Sequence, residues 1–312
     1  MRNKTLRKNK LSGYKTTIIL TAIMLPAIIY VMLFHYIPLY GLIIAFKDYN
    51  SWQGIFDSPW ASMGGFKHFI DFLTLPDFWN IIWNTLSLSI VSLFFGTVLP
   101  ICFALTINEI HGKHFKRIVQ TLSYAPYFIS TVIVVGMAFS FLDVDKGMIS
   151  NVIKVFGGTP KDLMNEANAF IAIYVITGIW QGLGWGAIIY VGTLANVDEN
   201  LHEAAVLDGA NRFQRIIHIN LPTIIPIMTI MFIMNVGNLL NVGFEKVYLM
   251  QTAGNMSASR IITTYTYEVS LQSNIPQFSY ATAIGIFNMI VNLILLVVSN
   301  IICKKTNGTS LW

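Results

Sequence analysis

Residues 198–222 read DENLHEAAVLDGANRFQRIIHINLP. This polar stretch lies between two strongly apolar runs and spells helix, glycine, helix. Asp198 is placed to cap a short helix carrying Glu199 in its first turn and Glu203 one turn later. Gly209 stands where a left-handed residue ends a helix. Beyond it, Phe213, Ile216, Ile217 and Leu221 fall at helical spacing, with Arg212 and Arg215 expected on the opposite side. Pro222 is expected to close this second helix at the water boundary. A merely solvated loop has no need of EAA, DGA and LP in this order.

What flanks the stretch sets its surroundings. The 312 residues are 54% hydrophobic and only 11% charged, with a mean hydropathy of +0.61. Soluble domains carry roughly 25% charged residues, so this composition belongs in a bilayer. The net charge of +5 is then a question of which loops hold it, not a nucleic-acid signal. Cys102 and Cys303 both fall in apolar segments and point to neither a disulfide frame nor a metal site. The first apolar segment has a basic leader but is long enough to span and lacks a small-x-small cleavage site, so it reads as a retained helix.

A span needs about 20 mostly apolar residues, and six stretches qualify. They are Thr17 to Ile37, with an apolar extension to Phe46; Ile81 to Leu105; Ile118 to Leu142, bent at Pro126; Phe170 to Leu194; Thr223 to Val242, with Pro226 in its first turns; and Ala281 to Cys303. The expected organisation is a basic N-terminus (1–16), a first transmembrane helix with its outer loop (17–80), a five-helix core (81–303) containing the 198–222 loop, and a tail (304–312). With the N-terminus in the cytoplasm, inside segments hold Arg2, Lys4, Arg7, Lys8, Lys10, Lys15, Lys113, Lys116, Arg117, Arg212, Arg215, Lys304 and Lys305. Outside segments hold only Lys47, Lys67, Lys146, Lys154, Lys161, Lys246 and Arg260. The excess of positive charge inside fixes that orientation. Both termini and the 198–222 loop then face the cytoplasm, in the plasma membrane.

No convergent reactive set is visible. There is no phosphate-binding G-x-x-x-x-G-K-[ST] motif. His202-Glu203 begins like a zinc-protease helix, but Val206 stands where the second histidine belongs. The spans have almost no ionisable residues, which argues against a proton-coupled pump or a charged selectivity ring. Neither catalytic residues nor a metal site is expected. The outer loops are rich in aromatics, including Trp52, Trp60 and Trp79, which suit an interfacial belt or a docking surface.

The spans do hold neutral polar and aromatic groups. Asn235, Asn238 and Asn241 recur every three residues in span five, as one helical stripe. Trp180, Gln181 and Trp185 lie in span four, separated by Gly182 and Gly184. Amides donate and accept, and indole faces pack on pyranose rings, so this set suits a sugar path. Asparagines and closely spaced glycines equally hold membrane helices together. The residues alone leave both readings open, as they do for Asn288 and Asn292 in span six.

The opening stretch resembles the EAA loop of permeases of binding-protein-dependent ABC importers, in Glu203-Ala204-Ala205, Asp208-Gly209-Ala210 and Ile219-x-Leu221-Pro222. FHYIPLYGLIIAFKDYN (34–50), FISTVIVVGM (128–137), LLNVGFEKV (239–247) and the terminal SLW look like the LplB-type sugar permeases, related to the maltose-transporter permeases. The resemblance covers essentially the whole chain. It implies an all-α polytopic membrane protein of six transmembrane helices, the type I ABC importer permease fold, with a cytoplasmic EAA coupling helix. It implies no enzyme and no cofactor in this chain, ATP and Mg being bound by a separate cytoplasmic ATPase dimer. The other implied partners are a second homologous permease, an extracellular solute-binding protein tethered by lipid in a Gram-positive host, and membrane lipid. Glu203, Ala204, Ala205, Asp208 and Gly209 would form the ATPase contact. Gly182, Trp185, Asn238 and Asn241 fall at sugar-contacting positions, and the residue reading adds Trp180 and Asn235. The implied cargo is an oligosaccharide.

Overall fold

A computed structural model describes the backbone of residues 2–110 and 112–312, and the side chains of 17–110 and 112–312. The basic side chains expected at 1–16, and His111, lie outside the described residues. The long elements are α1 (Arg2–Val31), α2 (Phe78–Asn108), α3 (Lys113–Tyr124), α4 (Thr131–Leu142), α5 (Ala167–Leu194), α6 (Glu199–Leu207), α7 (Leu221–Val236), α8 (Phe244–Met250) and α9 (Phe278–Asn307). No strand occurs among the described residues, only an isolated bridge between Lys47 and Trp60.

Among the described residues five helices are long and apolar enough to cross a membrane, Thr17–Phe46, Phe78–Asn108, Ala167–Leu194, Arg212–Val236 and Phe278–Asn307, and a sixth span is reached if the bent pair Lys113–Phe128 and Thr131–Leu142 counts as one. The expected third span is not one helix. It breaks into α3, with a short 3-10 turn to Phe128, and α4, bent by 96° between them. Pro126 takes the first turn of the 3-10 segment, and Ile129 and Ser130 are extended. The Ser130 hydroxyl then accepts from the Ile133 N–H and starts a new helix. A proline alone bends a helix; a serine N-cap after it makes the break complete.

The chain forms two compact units, residues 1–71 with 277–286, and residues 72–276 with 287–312. In the first, α1 runs on through a π turn (Met32–Tyr36) and a 3-10 stretch (Ile37–Phe46). The most apolar part of Thr17–Phe46 buries none of its residues, a surface suited to lipid. The following loop is well fixed. The buried Lys47 ammonium donates to the Ile55 and Phe56 carbonyls, and Phe46, Phe66 and Phe69 form a ring cluster.

In the second unit α2 lies along α5. One packed cluster joins Leu88 of α2 to Phe170 and Tyr174 of α5 and Val247 and Met250 of α8. Another joins Ile101 and Ala104 to Ala187, Tyr190 and Leu194, with Ile224 of α7. In lipid, helices gain by close packing more than by leaving water, and small residues permit it. At Gly184 any Cβ would overlap the Ser123 carbonyl, so the end of α3 can lie on α5 only because that residue has no side chain. The loop after α8 is also anchored. Asn255, 1% exposed, donates to the Met164 and Met250 carbonyls, and Arg260 chelates Glu268 at 2.8 Å.

Candidate functional site: the EAA loop and a glycine-floored cavity

The 198–222 loop is built as its sequence reads at the first helix. The Asp198 carboxylate accepts the Asn200 N–H at 3.0 Å and caps α6. Gly209 has φ +81°. The Ala210 N–H reaches the Ala205 carbonyl at 2.8 Å and the Gly209 N–H reaches Val206 at 3.0 Å. This paired closure is a Schellman motif, and it requires the left-handed residue that glycine supplies. Two residues later Asn211 opens the next helix with a capping box. Its side chain accepts from the Gln214 N–H at 2.9 Å, and the Gln214 side chain accepts from the Asn211 N–H at 2.8 Å. The N-x-x-Q spacing was a readable signal for this box.

The second helix does not stop at Pro222. Residues Arg212–Val236 run as one helix, through a π turn at Ile216–Asn220 whose last bond joins the Leu221 N–H to the Ile216 carbonyl. The wider turn absorbs the clash and lost donor that proline brings to an α-helix. The amphipathic segment is thus continuous with the span that follows it.

Glu203, Ala204 and Asp208 are exposed and Ala205 half-buried. Leu207 is 88% and Phe213 68% exposed. Large apolar side chains are thus left uncovered beside an acidic residue on α6 and just beyond its turn. Ala205, Asp208 and Gly209 also line a notch of about 290 Å³ with Gln214, Arg215 and His218. Arg215 corrects the sequence reading, which turned it away with Arg212. Arg212 is exposed, but the Arg215 guanidinium points inward, 3.7 Å from the Glu109 carboxylate just past α2, and both side chains are 16% exposed. The fully buried Asn220 donates to the same carboxylate at 3.3 Å.

The middle of α5 carries the second region. Gly178, Gln181 and Gly182 line two cavities. One, of about 330 Å³, is walled by Ser92, Phe95 and Pro100 of α2 and by Lys246 of α8. The other, of about 470 Å³, is walled by residues 127–131 at the α3–α4 break. The Gln181 amide donates to the Ile129 carbonyl there at 2.8 Å. Trp185 stacks on Tyr127 with centroids 4.3 Å apart and 3° between planes, and Phe128 meets it edge-on. The break within the expected third span therefore brings Tyr127 and Phe128 to this floor. Trp180 does not join them. It is roughly 140° around α5 from Trp185, at about 100° per residue, and lines a separate apolar pocket with Val134, Met137 and Phe141 of α4.

The asparagine stripe is also rearranged. Helix α7 ends at Val236, Asn238 is non-helical, and Leu239–Asn241 form a 3-10 turn. Asn235, Asn238 and Asn241 are therefore not one helical face, although all three are exposed. Gly237 ends the helix tightly against Leu296 of α9. Asn288 donates to the Asn241 side chain at 2.7 Å, and Asn292 accepts the Leu240 N–H at 3.1 Å. These two span-six asparagines hold the turn. None of Asn235, Asn238 and Asn241 lines either α5 cavity.

A family model described as "Binding-protein-dependent transport system inner membrane component" matches residues 96–307. The chain belongs to this family. The permease is 38% identical over 290 residues to Protein LplB of Bacillus subtilis, covering 93% of this chain and 90% of that one. It is 41% identical over 281 residues to YteP of the same organism, a polygalacturonan/rhamnogalacturonan transport system permease protein, covering 90% and 86%. Among solved structures it is similar to a chain of a bacterial alginate ABC transporter in complex with an alginate pentasaccharide-bound periplasmic protein, with a TM-score of 0.87 and 34% identity over 96% of this chain and 99% of that one. The permease is accordingly an all-helical, multi-pass membrane transport subunit of the type I importer fold, not an enzyme.

Proposed function

We propose that this permease forms half of the path along which an ATP-driven importer carries an oligosaccharide delivered by an extracellular solute-binding lipoprotein. The observation that carries the cargo class is the cavity floor. The open space over Gly178 and Gly182, the Gln181 side chain and the Tyr127 ring, which Trp185 backs by stacking, offer what a sugar ring needs, a polar partner for hydroxyls and a flat apolar face. The names of the relatives agree, from YteP to the arabinooligosaccharides permease AraP of Bacillus subtilis, 26% identical. Asn238 and Asn241 extend the path where the second permease completes it, with Asn235 and Trp180 at its margins.

Coupling falls to Glu203, Ala204, Ala205, Asp208 and Gly209. Helix α6 docks into a groove of a cytoplasmic ATPase dimer, which binds the ATP and Mg. Glu203 makes the charged contact, the two alanines allow close approach, and Asp208 and Gly209 hold the turn. Because Arg212–Val236 is one helix, a displacement of the docked loop passes directly into span five. Both termini lie in the cytoplasm of a Gram-positive cell, and residues 81–303 form the core, preceded by the first helix and its outer loop. The test is uptake into proteoliposomes holding this chain, its partner permease, the ATPase and the binding protein. ATP-dependent entry of a labelled oligosaccharide is expected, and sugar entry through this chain alone without ATP would overturn the reading.

A further inference from the structure

We propose that Lys246 is a carboxylate-recognition site in the wall of the cavity, and that the cargo is an acidic oligosaccharide bearing uronate-type carboxylates; this rests on the carbohydrate reading above. Lys246 sits on α8 and is 8% exposed. Its ammonium donates to the Tyr174 carbonyl at 2.8 Å and lies 4.5 Å from the centre of the Tyr174 ring. No carboxylate pairs with it among the described residues. A buried charge without a counter-ion is costly and seldom kept without use. The carbonyl does not require it, since Tyr174 also accepts the Thr177 hydroxyl at 3.1 Å.

An ammonium has three donors, and one carbonyl takes one of them. The rest serve the cavity of about 330 Å³ that Lys246 lines. A second unmatched group lines the same cavity. The Ser92 hydroxyl is buried and has no hydrogen-bond partner among the described residues. Gly178 makes room for the charge, because a Cβ there would stand 3.2 Å from the ammonium nitrogen. Burial pushes the Lys246 pKa down to about 8, which leaves the group charged at neutral pH. A cation and a hydroxyl donor beside the Gln181 amide suit a sugar ring that carries a carboxylate.

The test uses the full complex in proteoliposomes, with trigalacturonate, its methyl ester and maltotriose as probes. Wild type is expected to import the acid in preference to the ester. Lys246→Met is expected to cut acid uptake by about tenfold, the low end for a charge-assisted hydrogen bond, and to affect the ester little. Lys246→Arg should keep most of the acid uptake. Where Lys246→Met does not assemble, Gly178→Ala, which crowds the ammonium, should shift the preference the same way. Equal loss for both galacturonates marks a purely structural lysine and overturns the proposal, as does unchanged acid uptake. Import of maltotriose without the acid overturns this inference alone, whereas import of no sugar defeats the carbohydrate reading beneath it.

Discussion

The Arg215 guanidinium lies 3.7 Å from the Glu109 carboxylate, both side chains 16% exposed. Glu109 is the C-cap of α2, and Arg215 stands one residue before the π turn that leads into span five. Asn220, at the other end of that turn, donates to the same carboxylate. The EAA loop is thus fastened to α2 as well as to α7.

Glu109→Gln keeps an acceptor for Asn220 but removes the charge facing Arg215. Leaving a mostly buried guanidinium without its partner costs about 2 kcal/mol, below the range for a fully buried pair because water still reaches the site. The assembled complex should show a lower thermal midpoint and less sugar carried per ATP hydrolysed. An unchanged midpoint and ratio would mean that the contact is incidental.

Glu203 is exposed on α6, so replacing it disturbs no internal contact. Glu203→Lys reverses the sign of the proposed contact with the ATPase. Transport should fall at least about tenfold, as for a charged contact turned repulsive, while the complex still reaches the membrane. Uptake equal to wild type at equal membrane abundance would remove Glu203 from the coupling surface.

The left-handed Gly209 and the Asn211 box hold the loop's shape. Gly209→Ala should cost about 1 kcal/mol, because φ +81° is unfavourable for any residue with a Cβ. Asn211→Ala should cost about the same through the lost cap. Both should weaken binding of the isolated ATPase to the permease pair in a pull-down titration, and neither should alter sugar binding. Full ATPase affinity in both variants would show that the turn's geometry is not what the partner reads.

Spans and the EAA loop were legible because their signals are local. Apolar runs of sufficient length, Asp198 before a helix and Gly209 after it each specify geometry within a few residues. What escaped the sequence depends on neighbours far along the chain. Ile118–Leu142 looks like one apolar span until the Ser130 hydroxyl closes a new helix. Trp180 and Trp185 look like a pair until α3 and α4 occupy different sides of α5. Arg215 looks solvated until Glu109, more than a hundred residues earlier, is found beside it. Lys246 sits in a loop by its sequence, and only the approach of α8 to α5 buries it.

The proposed path residues Asn238 and Asn241 can be separated by what each holds. Asn241 takes a hydrogen bond from Asn288 at 2.7 Å, whereas Asn238 bonds only back to Met234 in its own segment. Asn241→Leu should therefore lower the thermal midpoint, with a cost of about 1 kcal/mol, besides any effect on transport. Asn238→Leu should leave the midpoint alone. If Asn238→Leu also leaves uptake unchanged, that asparagine is not on the path.

The two glycines at 182 and 184 give the sharpest contrast between path and scaffold. A Cβ at Gly182 meets nothing within 4 Å, and Gly182 lines both α5 cavities. A Cβ at Gly184 would overlap the Ser123 carbonyl and crowd the Tyr124 ring. Gly184→Ala should force α3 off α5 and lower the yield and thermal midpoint of the complex, because close helix approach in lipid depends on such small residues. Gly182→Leu should assemble normally, yet the isobutyl group would occupy the floor on which the sugar is proposed to rest. Uptake should fall by about tenfold or more, as expected when bulk displaces a bound ring, with the thermal midpoint held. The informative failure is the reverse pattern. A Gly182→Leu complex that transports normally would place the cargo elsewhere, on the second permease or along Asn238 and Asn241, and would leave the α5 cavity as a packing defect between two well-ordered cores.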